Sequence, residues 1–464
     1  MRKFRLLAGA TCSALAILAS TAGQAETLAD ALISAYRSSN LLDQNRALLR
    51  ATDEDVAIAV AALRPVVQFV ADSRYDFQRV HQSFGDQQVR FNEETLTSTL
   101  GITASMTLYD FGRNALAVEA AKENVLATRE ALVSVEQDVL LDAVDAYVRV
   151  QLAQAIVDLR NNNLGLIEQE LQAAQDRFDV GEVTRTDVAQ AQAALAASQS
   201  DLTAAEGDLV VAREAYKAAI GHYPENLAPL PAAPKTAPSV EAARQVALRT
   251  HPQVRQAQRQ VAAADLNVAR AKASMKPTLS GDASAGLDNE GQESASVGLS
   301  LRHTLYAGGE LSALYRQSLA NRDAQKANLL QTGVLVAENV GNAWSTVDVA
   351  TAAIAAGDEE VRAARTAFEG VREEATLGAR TTLDVLNAEQ DLLDAQADRL
   401  TFEAQRYLGI YQVLASMGLL TVEHLNLGIP TYDPAAYYNA VKHAPATSAQ
   451  GRKLDRVMQS IGRN

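Results

Sequence analysis

The chain repeats itself, and that repetition limits the folds available to it. Leu28-Ala29-Asp30-Ala31 and Ala35 align with Val240-Glu241-Ala242-Ala243 and Ala247, 212 residues on (Leu28 to Val240), and Arg64-Pro65 aligns with Lys276-Pro277 at the same spacing. The spacing then drops to 197 residues (Leu108 to Leu305), where Leu108-Tyr109-Asp110-Phe111-Gly112 meets Leu305-Tyr306-Ala307-Gly308-Gly309. Gly181 and Asp187 meet Gly378 and Asp384 at that second spacing. The first copy therefore carries an extra loop between Pro65 and Leu108. A joint containing Pro224, Pro229, Pro231, Pro234 and Pro238 separates the copies.

Each copy changes its hydrophobic period twice. Residues 28–63 and 240–275 read as a short helix and a longer one, stopped by Pro65 and Pro277. Strands follow at about 66–80 and 95–108, and at about 278–287 and 294–305. Leu96, Leu100, Ile102, Ala104, Met106 and Leu108 alternate with threonines and serine; Ala295, Val297, Leu299, Leu301 and Leu305 alternate with Ser296, Gly298, Ser300, Arg302 and Thr304. One apolar and one small-polar face over about ten residues suits a membrane β-strand as well as a half-buried soluble hairpin. Tyr75, Phe77, Tyr109, Phe111 and Tyr306 near the strand ends fit an aromatic girdle.

Neither Gly112–Asp179 nor Gly309–Thr376 contains a proline. At 1.5 Å per residue such helices run ~100 Å, longer than a bilayer or an ordinary domain is wide. A seven-residue period runs through them: Val118, Val125, Leu132 and Val139 form one seam, and Leu126, Val133, Leu140 and Tyr147 another. Val188, Leu195, Leu202, Leu209 and Tyr216 continue it in the returning helix of copy one, and Leu386, Leu393, Leu400, Tyr407 and Leu414 in copy two. Such a period means coiled-coil packing, and two adjacent seams give a helix a neighbour on each side.

Residues 1–25 read as a secretory signal, with Arg2, Lys3 and Arg5, an apolar run from Leu6 to Leu18, and a small-residue cleavage site before Glu26. Cys12, the sole cysteine, lies inside it, so the processed chain has no disulfide or thiolate site. Loss of the three cations moves the formal net charge from −14 to −17, which disfavours nucleic acid. No run of 18 apolar residues follows, so a membrane span would have to be a β-barrel. The six histidines are scattered without ligand spacing, and Gly308-Gly309 lacks the phosphate-loop Lys-Ser/Thr, so neither an enzyme nor a cofactor is expected. Four strands per chain cannot close a barrel, and an open edge in lipid leaves backbone groups unpaired. Two copies would pool eight strands, a barrel that side chains would fill; three copies, the preferred count, would pool twelve strands and twelve helical staves around one axis.

The element order, Leu108-Tyr109-Asp110-Phe111-Gly112-Arg113, and the paired Val180-Gly181…Thr186-Asp187-Val188 and Leu377-Gly378…Leu383-Asp384-Val385 resemble the TolC-like outer-membrane factors. Leu49-Arg50-Ala51-Thr52-Asp53-Glu54…Leu63-Arg64-Pro65 looks like the branch serving type I protein secretion. The resemblance covers about residues 26–420. It implies a homotrimer with a 12-stranded β-barrel in outer-membrane lipid above a coiled-coil α-helical barrel in the periplasm. It also implies recruitment by a periplasmic adaptor and an inner-membrane ABC or other export pump. The expected divisions are a first repeat over 26–220, an equatorial linker over 221–238, a second repeat over 239–420, and an equatorial segment with a loose tail over 421–464. The rival reading is a periplasmic coiled-coil adaptor or rod.

By the same resemblance, the working part is a gate at the periplasmic tip. It implies an acidic ring at Asp384, with Asn387 where a second aspartate is common, and a latch from Arg380 to Thr186 and Asp187. Ala375 stands where a tyrosine often joins that latch. The turns Gly181-Glu182-Val183 and Gly378-Ala379-Arg380 are implied as adaptor contacts. Thr184…Asp187 and Thr381…Asp384 also fit an N-terminal helix cap, a role compatible with the others.

Overall fold

The computed structural model describes residues 25–84, 87–443 and Arg456; the expected signal over 1–25 lies almost wholly outside the described residues. The repeat governs the architecture. Short helices α1 (Leu28–Ser38) and α2 (Asn40–Ala61) lead into strands β1 (Val66–Phe84) and β2 (Gln87–Tyr109), then long helix α3 (Arg113–Asp179) and returning helix α4 (Arg185–Ile220). The second copy repeats this as α5 (Val240–Thr250), α6 (Pro252–Ala273), β3 (Thr278–Asp288), β4 (Glu293–Arg302), α7 (Glu310–Thr376) and α8 (Thr382–Ser416), and a short α9 (Pro434–Val441) follows. α1 and α5 both have 11 residues, α2 and α6 both 22, and α3 and α7 both 67. Each long helix starts from a left-handed glycine, Gly112 at φ 82° and Gly309 at φ 93°, a corner that a Cβ would strain.

The four strands form one antiparallel sheet in chain order, with β2 and β3 joining the two copies. One face carries Phe69, Leu100, Ile102, Leu287, Val297, Leu299 and Leu301, all open to the surroundings; the other carries Asp72, Arg74, Thr97, Thr103, Ser284 and Ser296. At one end of the apolar face the rings of Tyr75 and Phe77 lie 4.7 Å apart, and at the other those of Tyr109 and Phe111 do the same.

The first hairpin exceeds the expectation. β1 and β2 stay paired through 81–84 and 87–94, where polar residues outnumber the apolar Phe84, Val89 and Phe91 and the backbone ladder runs on. β4 stops short of the expected 305, at Arg302: its partner β3 begins at Thr278, and Pro277 before it has no N–H to extend the ladder.

The main core lies midway along the molecule, where α1, α3, α4 and α8 meet around Leu28, Leu32, Leu140, Tyr147, Tyr216 and Leu414. Ala31 and Ala35, and their counterparts Ala243 and Ala247, are all fully buried, since only a methyl group fits between the short and long helices. The seam residues Val118, Val125, Val139, Leu140, Tyr147, Leu393 and Leu414 are buried, and α3 has α4 on one flank and α8 on another. Among the described residues no helix is long and apolar enough to cross a membrane.

The segment after α8 is a strap rather than a loose tail over its described part. Asp433 caps α9, accepting from Ala435 N at 2.8 Å. Tyr437 Oη donates to Glu54 Oε1 at 2.7 Å, Arg46 stacks on Tyr36 and Tyr432, Arg129 stacks on Tyr438, and Arg64 donates to the His443 carbonyl. Residues 444–464, Arg456 apart, lie outside the described residues.

Candidate functional site at the helical tip

The two long helices end in the same turn. Gly181 (φ 84°) and Gly378 (φ 76°) take the left-handed position, and nothing lies within 4 Å of where their Cβ atoms would be, so conformation alone calls for glycine. Glu182 N donates to Arg177 O at 2.9 Å, and Ala379 N to Glu374 O at 2.9 Å, closing the last turn of each helix. Val180 and Leu377 beside these glycines are 72% and 84% exposed, leaving an apolar side chain on each turn.

The returning helices begin with capping boxes at both predicted places. Thr184 Oγ1 and N donate to Asp187 Oδ2 at 2.7 and 2.8 Å, while Asp187 N donates back to Thr184 Oγ1 at 3.3 Å. Thr381 and Asp384 repeat the arrangement at 2.8, 3.0 and 3.2 Å. Hydrogen bonds from the Thr184 side chain and backbone hold the Asp187 carboxyl below its usual range. Those from the Thr381 backbone and side chain do so for Asp384, with Arg380 adding to the effect. Both carboxyls are therefore anionic at neutral pH.

Asn387 is exposed one helical turn beyond Asp384, so the two share a face of α8. Arg380 Nε donates to Glu374 Oε2 at 2.8 Å, and that bond keeps its guanidinium firmly charged. Among the described residues no ion pair joins Arg380 to Asp187 within one chain, and Thr186 is exposed at the head of α4. Sequence reasoning missed Glu374, the exposed Val180 and Leu377, and a buried polar cluster around Glu389. Glu389 had a signal: it falls three residues after Leu386 and four before Leu393, at the second core position of that heptad.

A lipid-matched sheet face, two helices of 67 residues and a charged tip closed by glycine turns are the features of a duct that starts in a membrane. The chain belongs to the outer membrane efflux protein family, which it matches over residues 32–222 and 243–418. It is 34% identical over 444 residues to the outer membrane efflux protein BepC of Brucella suis, covering 94% of this chain and 95% of that one. It is 27% identical over 356 residues to the alkaline protease secretion protein AprF of Pseudomonas aeruginosa, covering 73% of each. The fold matches the outer-membrane channel OprN with a TM-score of 0.71 at 24% identity, over 84% of this chain and 89% of that one. Membership makes this an outer-membrane channel protein with its helical part in the periplasm, and sets aside the adaptor or rod reading.

Proposed function

We propose that three copies of this chain close a 12-stranded barrel in the outer membrane and continue it as a helical tunnel through the periplasm. The observation that carries this is the sheet: among the described residues β1 and β4 have no partner on their outer sides, while the apolar face beside them matches lipid. Unpaired edges in hydrocarbon cost several kcal/mol per group, and a second and third copy remove them. Four strands from each of three chains suit a lumen that stays open, since about eight would be filled by side chains.

The tip is the gate. The three Asp384 carboxylates ring the axis, Asn387 lines the same face without charge, and Arg380 bonds Thr186 and Asp187 of an adjoining coil when closed. The glycine turns at Gly181-Glu182-Val183 and Gly378-Ala379, with Val180 and Leu377, receive the periplasmic adaptor. An inner-membrane ABC or other pump feeds the tunnel. The cargo is protein, by type I secretion, small toxic molecules, or both; relatives bear names of both kinds.

The test is to delete the gene and assay secreted proteins alongside sensitivity to hydrophobic drugs, restoring it from a plasmid. Loss of a secreted protein or a gain in drug sensitivity, reversed on restoration, supports export. Unchanged secretion and sensitivity, together with purified protein that stays monomeric and passes no ions across a planar bilayer, rejects it.

A further inference from the structure

A short way above the turns, all four helices of the tip meet at one polar node, buried except for Arg372, whose side chain is half exposed. Glu389 on α8 is 3% exposed, and its Oε1 accepts from Asn163 Nδ2 of α3 at 2.9 Å. Asn163 Oδ1 in turn accepts from Ser198 Oγ of α4 at 3.1 Å. Arg372 Nε of α7 meets Glu170 Oε1 of α3 at 3.1 Å, and Glu170 is 7% exposed. The node thus ties α3 and α4, the first hairpin, to α7 and α8, the second.

Its charges do not balance. Two carboxyls share one guanidinium, and Arg372 is bound to Glu170. Ser198 brings no charge from α4, and Arg160 and Asp201, one turn away on α3 and α4, are paired with each other at 3.5 Å. Glu389 Oε2 is buried without any hydrogen-bond partner. A buried carboxylate oxygen in that position is costly, and a proton on it removes most of the cost.

We propose that Glu389 is a proton-responsive joint, holding the two hairpins of the tip together when protonated and loosening them when ionised. Burial first, then Glu170, pushes its carboxyl up to about 7, against the opposing effects of the Asn163 bond and Arg372. The packed tip therefore binds the proton more tightly than a splayed tip, in which the carboxyl returns toward its ordinary 4.5. Packing is favoured at low pH, and the advantage is lost as pH rises through about 7. Asp187 and Asp384, held below the usual carboxyl range, keep their charge across this interval. The joint would thus act on the gate without altering the charge at its mouth.

The inference rests on the channel reading above, and planar-bilayer recording of the full-length purified protein separates the two. Absence of any channel would reject the channel reading itself. Given channels, mean conductance should be at least about twofold higher at about pH 8 than at about pH 5.5. Glu389→Gln keeps the shape and the Asn163 contact, and should give low conductance that no longer changes over that range. Asn163→Leu removes the bond that favours the ionised form and should move the wild-type midpoint upward. A flat wild-type profile, or a Glu389→Gln protein with the wild-type profile, overturns the proposal. Should Glu389→Gln fail to assemble, the Asn163→Leu midpoint decides, an unshifted value being fatal.

Discussion

Gly101 of β2 and Gly286 of β3 face one another across the strand pair that joins the two repeats. A Cβ on Gly101 would sit 3.0 Å from the Ala285 carbonyl oxygen, and one on Gly286 would sit 3.0 Å from that of Leu100. The neighbour in each case is backbone, which cannot swing aside. Gly101→Val should therefore cost about 1–3 kcal/mol in the sheet. The purified variant should lose its barrel at lower temperature on unheated-versus-heated gels; an unchanged transition temperature would show that the ladder absorbs the methyl groups.

Arg380 is half exposed and held by Glu374 within its own chain. If it also latches a neighbouring coil in the closed trimer, Arg380→Ser raises single-channel conductance severalfold and lets large antibiotics enter cells. Wild-type conductance in that variant would remove the latch assignment.

Asp384 is ionised at every pH above its depressed titration. The mouth should prefer cations with constant selectivity from about pH 5 upward, and Asp384→Asn should weaken both that preference and block by multivalent cations. The amide oxygen of asparagine can still accept from Thr381, the N-cap, so folding costs at most about 1 kcal/mol. Equal reversal potentials for the two proteins in a salt gradient would place the selective ring elsewhere.

Asp53 on α2 is fully buried, and neither carboxyl oxygen has a hydrogen-bond partner. Burial is the main cause that raises it from 3.8 to about 6, with Arg129 opposing. The folded state thus holds the proton more tightly, and stability falls as pH rises from 3.8 through 6. Asp53→Asn should exceed wild type by up to ~3 kcal/mol at about pH 8 and match it near pH 4. Denaturant titrations followed by helical circular dichroism test this: a difference that is the same at both pH values would show that Asp53 does not titrate in this range.

What the residue pattern revealed was what breakers and periods mark. Pro65 and Pro277 end the first helices, Gly112 and Gly309 start the long ones, and the heptad seams reappear as lines of buried and half-buried residues. The ribbon over 81–84 and 87–94 was not read because its pairing is made by the backbone and its few apolar residues, Phe84, Val89 and Phe91, are outnumbered by polar ones. α9 was read as tail because eight residues have little intrinsic helix stability; Arg129 and Glu54, hundreds of positions away, hold it. At the tip, the caps at Thr184 and Thr381 were plain from spacing. The Glu389 node was not: the heptad position of Glu389 marks it as a core residue, but its partners come from three other helices and share no spacing with it.

The matched span of α3 and α7, 67 residues each between a glycine corner and a glycine turn, constrains how such a tube can change in evolution. One inserted residue would turn everything beyond it by about 100° and lift it ~1.5 Å, carrying its seam off its partner. Growth has to come in whole heptads, placed at corresponding heights in both copies and in both returning helices. A lineage reaching across a wider gap between its two membranes would carry that history as paired indels, four at a time.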